Sequence, residues 1–230
     1  MITTRIYNNT NKVRTRTWIV LMSPIIIIIL GNLAARLFSN LLGKWAWTGY
    51  FPVYWGLLFL FIIFTGKKEN QHLWFRKSQG SRWWTLLAIA IGLISFPALL
   101  IPNIQVIHSI LLVMAWCSFA VINASFEEAY WRGFLLDETA HLPRIFGVIY
   151  STVLFTTIHP LNLGVFSKIQ AFNPSKPLAL IPFLIILVML SLIYCLLYIK
   201  TKSLRLPILS HILTDLGNLS IFLFMNMVQI

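Results

Sequence analysis

The chain has 230 residues, of which 58% are hydrophobic and 10% are charged, and its mean hydropathy is +0.81. Soluble globular domains carry about 25% charged residues, so the composition excludes a soluble domain, and equally a disordered chain. The two cysteines, Cys117 and Cys195, lie inside apolar runs, which excludes a disulfide scaffold. The composition therefore predicts a membrane protein with several spans.

Several apolar runs are long enough to cross a bilayer, which takes about 20 residues in a helix. They predict seven spans, at residues 18–38, 45–65, 83–101, 107–131, 145–165, 178–199 and 207–228. The loops between them are short, so we expect residues 1–230 to form one all-α membrane helix bundle, with its motif-bearing half at about 107–228. Leu135–Leu142 or Trp74–Trp84 could lie along the membrane interface, which leaves seven and eight spans open.

Most of the basic residues fall on one side of these spans. With a cytoplasmic N-terminus, the cytoplasmic segments contain Arg5, Lys12, Arg14, Arg16, Lys67, Lys68, Arg76, Lys77, Arg82, Arg132, Arg144, Lys200, Lys202 and Arg205. This positive-inside bias predicts a multi-pass protein of the cell membrane with its N-terminus in the cytoplasm. Topology and anionic lipid headgroups then account for the net charge of +12, and we expect no nucleic-acid partner.

Ionisable residues inside a span are informative because a charge at its centre costs about 2.5–3.5 kcal/mol. Half of the six acidic residues fall in predicted cytoplasmic loops, namely Glu69, Asp137 and Glu138. The others lie within or at the edge of predicted spans together with two histidines: Glu127, Glu128, Asp215, His159 and His211. These five residues form three local groups on three helices.

The first group lies at the end of the fourth predicted span. Glu128 and Arg132 are four residues apart, the spacing for an ion pair along one helix face. Glu127 points about 100° away from Glu128 and shares its own face with Asn123, one turn earlier. The same residues could simply mark the interfacial end of a helix, so both interpretations stay open.

The second and third groups each contain a histidine. Phe155 and His159 share a helix face, and Pro160 predicts that this helix kinks or stops beside a cavity. His211 and Asp215 also lie four residues apart on one face. Each histidine could instead serve helix packing, but three helices with ionisable groups favour one shared polar cavity. Such a cavity can activate water, bind a metal or relay protons.

The order of the motifs EExxxR, FxxxH and Hxxx(N/D) on successive membrane helices resembles the CPBP family of intramembrane proteases. That family comprises type II CAAX prenyl endoproteases and bacteriocin-processing or immunity proteins, and the resemblance covers residues 120–220. It implies a glutamate-dependent endopeptidase that needs no metal or other cofactor and whose site opens towards the cytosol. It also implies that Glu127 is the general base on a water molecule, with His159 assisting.

The resemblance further implies that Glu128 and Arg132 form a supporting pair and that His211 and Asp215 stabilise the oxyanion. One position departs from the prenyl endoprotease pattern, which typically has asparagine where this chain has Asp215. An ionised aspartate would repel developing negative charge, and it could instead orient His211. The departure argues against prenyl specificity more than against activity.

The depth of the general base presents a geometric difficulty. His159 lies 15 residues beyond Arg144, about 22 Å along a helix, whereas the predicted spans place Glu127 near the cytoplasmic face. Either the fourth span extends past Arg132, or the segment after Arg144 begins with an interfacial turn. The apolar residues that follow Arg132 favour the longer span.

Three other functions remain in competition. A non-catalytic protein of the same fold would act by binding, as an immunity factor or scaffold. A zinc protease would use His159, His211 and a carboxylate, but the HExxH spacing is absent from the sequence. A proton-coupled transporter would be expected to show duplicated halves. The substrate, a peptide or a membrane protein, is not identified by the sequence, nor is the oligomeric state.

Overall fold

The computed structural model describes residues 2–169, 172–173 and 175–228, without the side chains of residues 2–14 and of Arg144. Within these residues the chain is helical and contains no strand, which confirms the predicted all-α class. The helices are α1 (Ile2–Leu42), α2 (Ala46–Thr65), α3 (Lys68–Gln71), α4 (Arg82–Leu93), α5 (Ile110–Glu128), α6 (Leu135–Glu138), α7 (Arg144–Asn162), α8 (Pro177–Thr201), α9 (Arg205–Gly217) and α10 (Ser220–Phe224).

Long apolar helices confirm a multi-pass membrane protein. In the described part of the chain, five stretches are long and apolar enough to span a membrane: Thr15–Thr65, Arg82–Leu100, Ile110–Glu138, Ile145–Val165 and Pro177–Thr201. The first contains α2 and the part of α1 from Thr15 onwards, which fold back on each other at Gly43, where a φ of +54° suits glycine. The predicted count of seven or eight spans is not confirmed.

The predicted last span, 207–228, is not one helix. α9 has 13 residues, about 20 Å of helix, and it ends at Gly217. Leu219 then adopts a left-handed conformation with φ +56°, and the short α10 follows. Because an α-helix cannot continue through such a residue, the chain turns here and α10 packs into the core.

The fourth span extends past Arg132, as the depth argument favoured. α5 and α6 are joined by a π-helical turn at Ala129–Phe134, so the helix continues from Ile110 to Glu138. The prediction that Asp137 and Glu138 lie in a loop is therefore wrong. Asp137 accepts hydrogen bonds from Trp74 and Tyr198, and Glu138 forms an ion pair with Arg16 at 2.8 Å.

Two further expectations depend on local structure. α7 passes through Pro160 and ends at Asn162, because a proline in the last turn removes only a terminal hydrogen bond. Four residues that contribute to the predicted topology have side chains outside the described ones: Arg5, Lys12, Arg14 and Arg144. The cytoplasmic position of the N-terminus stays a prediction.

α9 is held close to α4 and α5. A Cβ atom on Gly92 of α4 would lie 2.6 Å from the Cβ of Leu213 and 2.7 Å from the carbonyl oxygen of Ser210, both on α9. Only a glycine permits this approach, as in other membrane helix contacts through small residues. The short α9 is thereby fixed against its neighbours although it does not span the bilayer.

Candidate active site

The structure brings the three predicted groups together in the interior of the bundle. Glu127 and Glu128 end α5, Arg132 lies in the π-helical turn, His159 is on α7, and His211 and Asp215 are on α9. All of them are buried except His159, which is partly buried. π-Helical turns inside α-helices occur frequently at functional sites.

Glu128 links two helices through both of its carboxylate oxygens. Its Oε1 accepts a hydrogen bond from Nδ1 of His211 at 2.8 Å, and its Oε2 forms an ion pair with Nε of Arg132 at 3.3 Å. The predicted pair on one helix face is therefore present. The contact with His211 was not predicted, and it makes Glu128 the residue that fixes the imidazole ring.

Arg132 is enclosed on all sides. Its Nη2 donates to Oγ of Ser191 at 3.0 Å, and that hydroxyl donates in turn to Thr152. The guanidinium lies 4.2 Å from the ring centroid of Phe155 and 5.4 Å from that of Tyr194, distances at which cation–π attraction operates. The exposed fraction of the Arg132 side chain is 0%. Arg132 is thus a fixed internal cation that supports Glu128.

His211 also faces two other carboxylates. Its Nε2 is 3.6 Å from Oε2 of Glu127 and 3.7 Å from Oδ1 of Asp215. The ring stacks on Tyr194, with the centroids 5.4 Å apart. With Nδ1 bonded to Glu128, the imidazole presents Nε2 to the space between Glu127 and Asp215.

Asp215 accepts a hydrogen bond from a side-chain amide on α5. Nδ2 of Asn123 donates to its Oδ2 at 3.0 Å, and Nε1 of Trp55 donates to Oδ1 of Asn123 at 3.0 Å. The backbone carbonyl of Asp215 accepts from Nε1 of Trp116 at 3.3 Å. Asp215 is therefore anchored by α5 as well as by its own helix.

Glu127 is held less tightly than its neighbour. Within the described residues its buried Oε2 has no hydrogen-bond partner, and its carboxylate interacts with the hydroxyl of Tyr54. The Oε2 of Glu128 also lacks a well-aligned hydrogen bond, but it has the Arg132 cation beside it. Glu127 is thus the glutamate of the pair with an oxygen left for another molecule.

His159 is oriented by its own helix. Its Nδ1 lies 2.7 Å from the carbonyl oxygen of Phe155, which can only accept, so the hydrogen-bond network assigns the ring proton to Nδ1. In the neutral ring the lone pair is then on Nε2. The ring is packed against Phe155, with centroids 4.7 Å apart, and against Phe183.

A cavity of about 460 Å³ adjoins these groups. Polar residues form one part of its wall, among them Asn123, Glu127, His159, His211 and Asp215, whereas Glu128 and Arg132 do not line it. The rest of the wall is mainly apolar, from residues such as Ile94, Leu99, Phe183 and Leu190. The cavity can therefore hold an apolar segment next to carboxylate and imidazole groups.

The sequence reasoning did not identify several residues that support the site. Tyr54, Trp55, Ser191 and Tyr194 all contact a predicted site residue or its partner. Ser191 and Tyr194 are three residues apart on the otherwise apolar α8, so they share a face. That spacing was the one signal for them in the sequence.

Comparison with known proteins supports the same part of the chain. Residues 108–217, just under half of the chain, match the family model described as type II CAAX prenyl endopeptidase Rce1-like. No curated protein and no solved structure matches the chain. The family supports intramembrane endopeptidase activity in general terms. The segment that contains every predicted site residue thus matches the model of the Rce1-like family of type II CAAX prenyl endopeptidases, and this match confirms the family predicted from the motifs.

Proposed function

We propose that this protein is an intramembrane endopeptidase in which Glu127 acts as general base on a water molecule. It cleaves a peptide or a membrane protein without a metal ion. One observation carries the proposal: Glu127 lines the cavity with a buried oxygen that has no hydrogen-bond partner in the described residues, while Glu128 beside it is held by Arg132 and His211. A carboxylate with a free acceptor position can take a proton from water.

The reaction uses the groups around Nε2 of His211. Glu127 takes a proton from water as the water oxygen bonds to the scissile carbonyl carbon, and the carbonyl electron pair moves onto its oxygen. That oxyanion accepts a hydrogen bond from Nε2 of His211, which lies 3.6 Å from Oε2 of Glu127. The carbonyl then re-forms, the C–N bond breaks, and the leaving amine takes the proton from Glu127.

The other groups prepare this step. Glu128 holds Nδ1 of His211, so that Nε2 points into the site, and Arg132 holds Glu128 in turn. A donor that is already oriented before the reaction stabilises developing charge strongly, because nothing has to reorganise. His159, with the lone pair of its neutral ring on Nε2, accepts a hydrogen bond from the attacking water.

The proposal of metal independence rests on the surroundings of His211. A zinc-binding histidine needs a nitrogen lone pair directed at the ion. Here Nδ1 bonds to Glu128, and Nε2 faces the oxygens of Glu127 and Asp215. Nδ1 therefore donates to a carboxylate, and the two carboxylate oxygens 3.6 and 3.7 Å from Nε2 favour a proton on that nitrogen over a free lone pair.

The proposed site lies inside the membrane, and we infer that it opens towards the cytoplasmic side. Glu127 is about 16 Å along the helix from Glu138, roughly half the thickness of the hydrocarbon core. Glu138 contacts Arg16 and the backbone of Lys67, which belong to the segments whose basic charge predicts the cytoplasmic side. This neighbourhood supports cleavage near the cytoplasmic side.

The test compares new protein termini in the membrane and secreted fractions of cells that produce the wild type or Glu127→Gln at equal levels. Glu69→Gln is the matched control, because Glu69 is exposed on α3. We expect a defined cleavage in the wild type and the control but not in Glu127→Gln. Identical termini in all three, with any protective effect retained by Glu127→Gln, would replace hydrolysis by a binding function.

A further inference from the structure

We propose that Asn123 is a further catalytic residue, whose side-chain amide donates a second hydrogen bond to the oxyanion beside that from His211. The proposal rests on the proposed function, since it assigns a role in the same reaction. Its basis is the hydrogen-bonded chain from Trp55 through Asn123 to Asp215, which joins three helices at the edge of the cavity.

The two contacts of Asn123 fix the direction of its amide. The indole N–H of Trp55 is a donor only, so it must face the amide oxygen. The carboxylate of Asp215 accepts, so it faces the amide nitrogen. Exchange of the oxygen and nitrogen positions would place donor against donor and acceptor against acceptor. The amide is therefore held in one orientation from both ends.

Among the described residues, this orientation leaves one donor hydrogen of the amide without a partner. An amide nitrogen carries two hydrogens, and Nδ2 of Asn123 gives one of them to Oδ2 of Asp215 at 3.0 Å. Asn123 precedes Glu127 by one helical turn on the same face of α5, and both line the cavity. The second hydrogen is thus carried by a side chain in the cavity wall, one helical turn from the proposed general base.

Asp215 organises both proposed donors. Its Oδ2 accepts from Asn123, and its Oδ1 lies 3.7 Å from Nε2 of His211. A carboxylate cannot itself donate to an oxyanion unless it is protonated. With an amide on one oxygen and an imidazole near the other, Asp215 is a positioning residue, and the neutral donor it lacks is supplied by Asn123.

A purely structural role for Asn123 makes a different prediction. If Asn123 only links α2, α5 and α9, its replacement would lower the free energy of unfolding, and activity would fall only with the folded fraction. As an oxyanion donor, its loss lowers the rate of the folded protein by about 10²- to 10³-fold. The two roles are separated by measuring rate and unfolding on the same variants.

The decisive variants interchange an amide and a carboxylate, two groups of the same shape, at positions 123 and 215. Asn123→Asp removes the amide, and the double variant Asn123→Asp/Asp215→Asn restores one amide and one carboxylate in exchanged positions. The double variant keeps an acceptor for Trp55 and a hydrogen bond between positions 123 and 215. It also keeps the net charge of the site. Asn123→Ala removes the amide without adding a charge.

The substrate is a detergent-solubilised mixture of membrane proteins from cells that lack this chain. Each purified variant is added to it, and the new protein termini are counted over time. Unfolding is followed by titration with sodium dodecyl sulfate. We expect Asn123→Asp and Asn123→Ala to be about 10²- to 10³-fold slower than the wild type, and the double variant to recover to within about tenfold.

The outcomes separate this proposal from the proposed function. A wild type that produces no more termini than Glu127→Gln overturns both. A wild-type rate in Asn123→Asp or Asn123→Ala, with Glu127→Gln inactive, overturns the role of Asn123 alone. A double variant that unfolds at the wild-type midpoint but stays as slow as Asn123→Asp also overturns it. If the double variant does not fold, Asn123→Ala decides.

Discussion

Two adjacent glutamates should respond in opposite ways to the same substitution. Glu128→Gln removes a carboxylate that Arg132 and His211 both contact, at 3.3 and 2.8 Å, in a region with almost no exposure. Breaking a buried ion pair by removing one partner costs about 3–5 kcal/mol, because the other charge is left uncompensated. Glu127→Gln removes a carboxylate whose Oε2 has no hydrogen bond among the described residues, so its free energy of unfolding should stay within about 1 kcal/mol of the wild type.

The cleavage rate should depend more directly on Glu127 than on Glu128. Loss of a general base lowers a rate by about 10²- to 10⁴-fold, so Glu127→Gln should be folded and inactive. Glu128→Gln should mainly lower the free energy of unfolding. The molecules that stay folded should cleave more slowly, because Glu128 no longer holds His211.

The assay is a titration with sodium dodecyl sulfate in mixed micelles, followed by the fluorescence of the nine tryptophans, with cleavage of membrane proteins measured on the same preparations. Equal destabilisation by the two substitutions would refute the reasoning. An unfolding midpoint of Glu128→Gln equal to that of the wild type would refute it as well. Glu128 would then not be the carboxylate that the ion pair and the hydrogen bond hold.

Further substitutions and an inhibitor test other parts of the site. Arg132→Lys should lower the free energy of unfolding by about 1–3 kcal/mol, since an ammonium group cannot hold Glu128 and the hydroxyl on α8 together, as the same titration will show. Trp55→Phe leaves the buried amide oxygen of Asn123 without a donor and should slow cleavage about tenfold or less while lowering the free energy of unfolding by about 1–3 kcal/mol. Arg16→Gln should cost about 1 kcal/mol or less, because the Arg16 side chain is 36% exposed, and should leave the cleavage rate unchanged. A chelator such as 1,10-phenanthroline should not alter the rate, whereas a zinc protease added as a control should lose its activity.

Contacts within one helix could be predicted from the sequence, and contacts between helices could not. The pairs Glu128–Arg132 and His211–Asp215 follow from helical spacing alone, and the structure contains both. The bond between Glu128 and His211 joins residues 83 positions apart. It depends on the rotation of α5 against α9, which the apolar pattern of a membrane helix does not determine.

Breaks in helices were also poorly predicted, for a related reason. Pro160 indicated a kink or stop, and α7 passes through it but ends two residues later, at Asn162. The break after α9 falls at Leu219, an apolar residue inside an apolar run, and Gly217 at the end of α9 was its signal in the sequence. Hydropathy measures whether a segment can be buried in lipid or protein, and it does not distinguish one long helix from two short ones.

The segment around Trp74, which from the sequence could lie along the membrane interface, contacts both the helix that contains Glu127 and the start of α9, which contains His211. The indole Nε1 of Trp74 donates to Asp137 at 2.8 Å, at the end of the helix that contains Glu127. Its carbonyl oxygen accepts from the backbone N–H of Leu204 at 2.7 Å, directly before α9 begins. Ser203 adds hydrogen bonds to the carbonyl oxygens of Trp74 and Arg76. Because one residue contacts the ends of both helices, Trp74 helps to set the distance between Glu127 and His211. The site can therefore keep its geometry although α9 is too short to cross the bilayer.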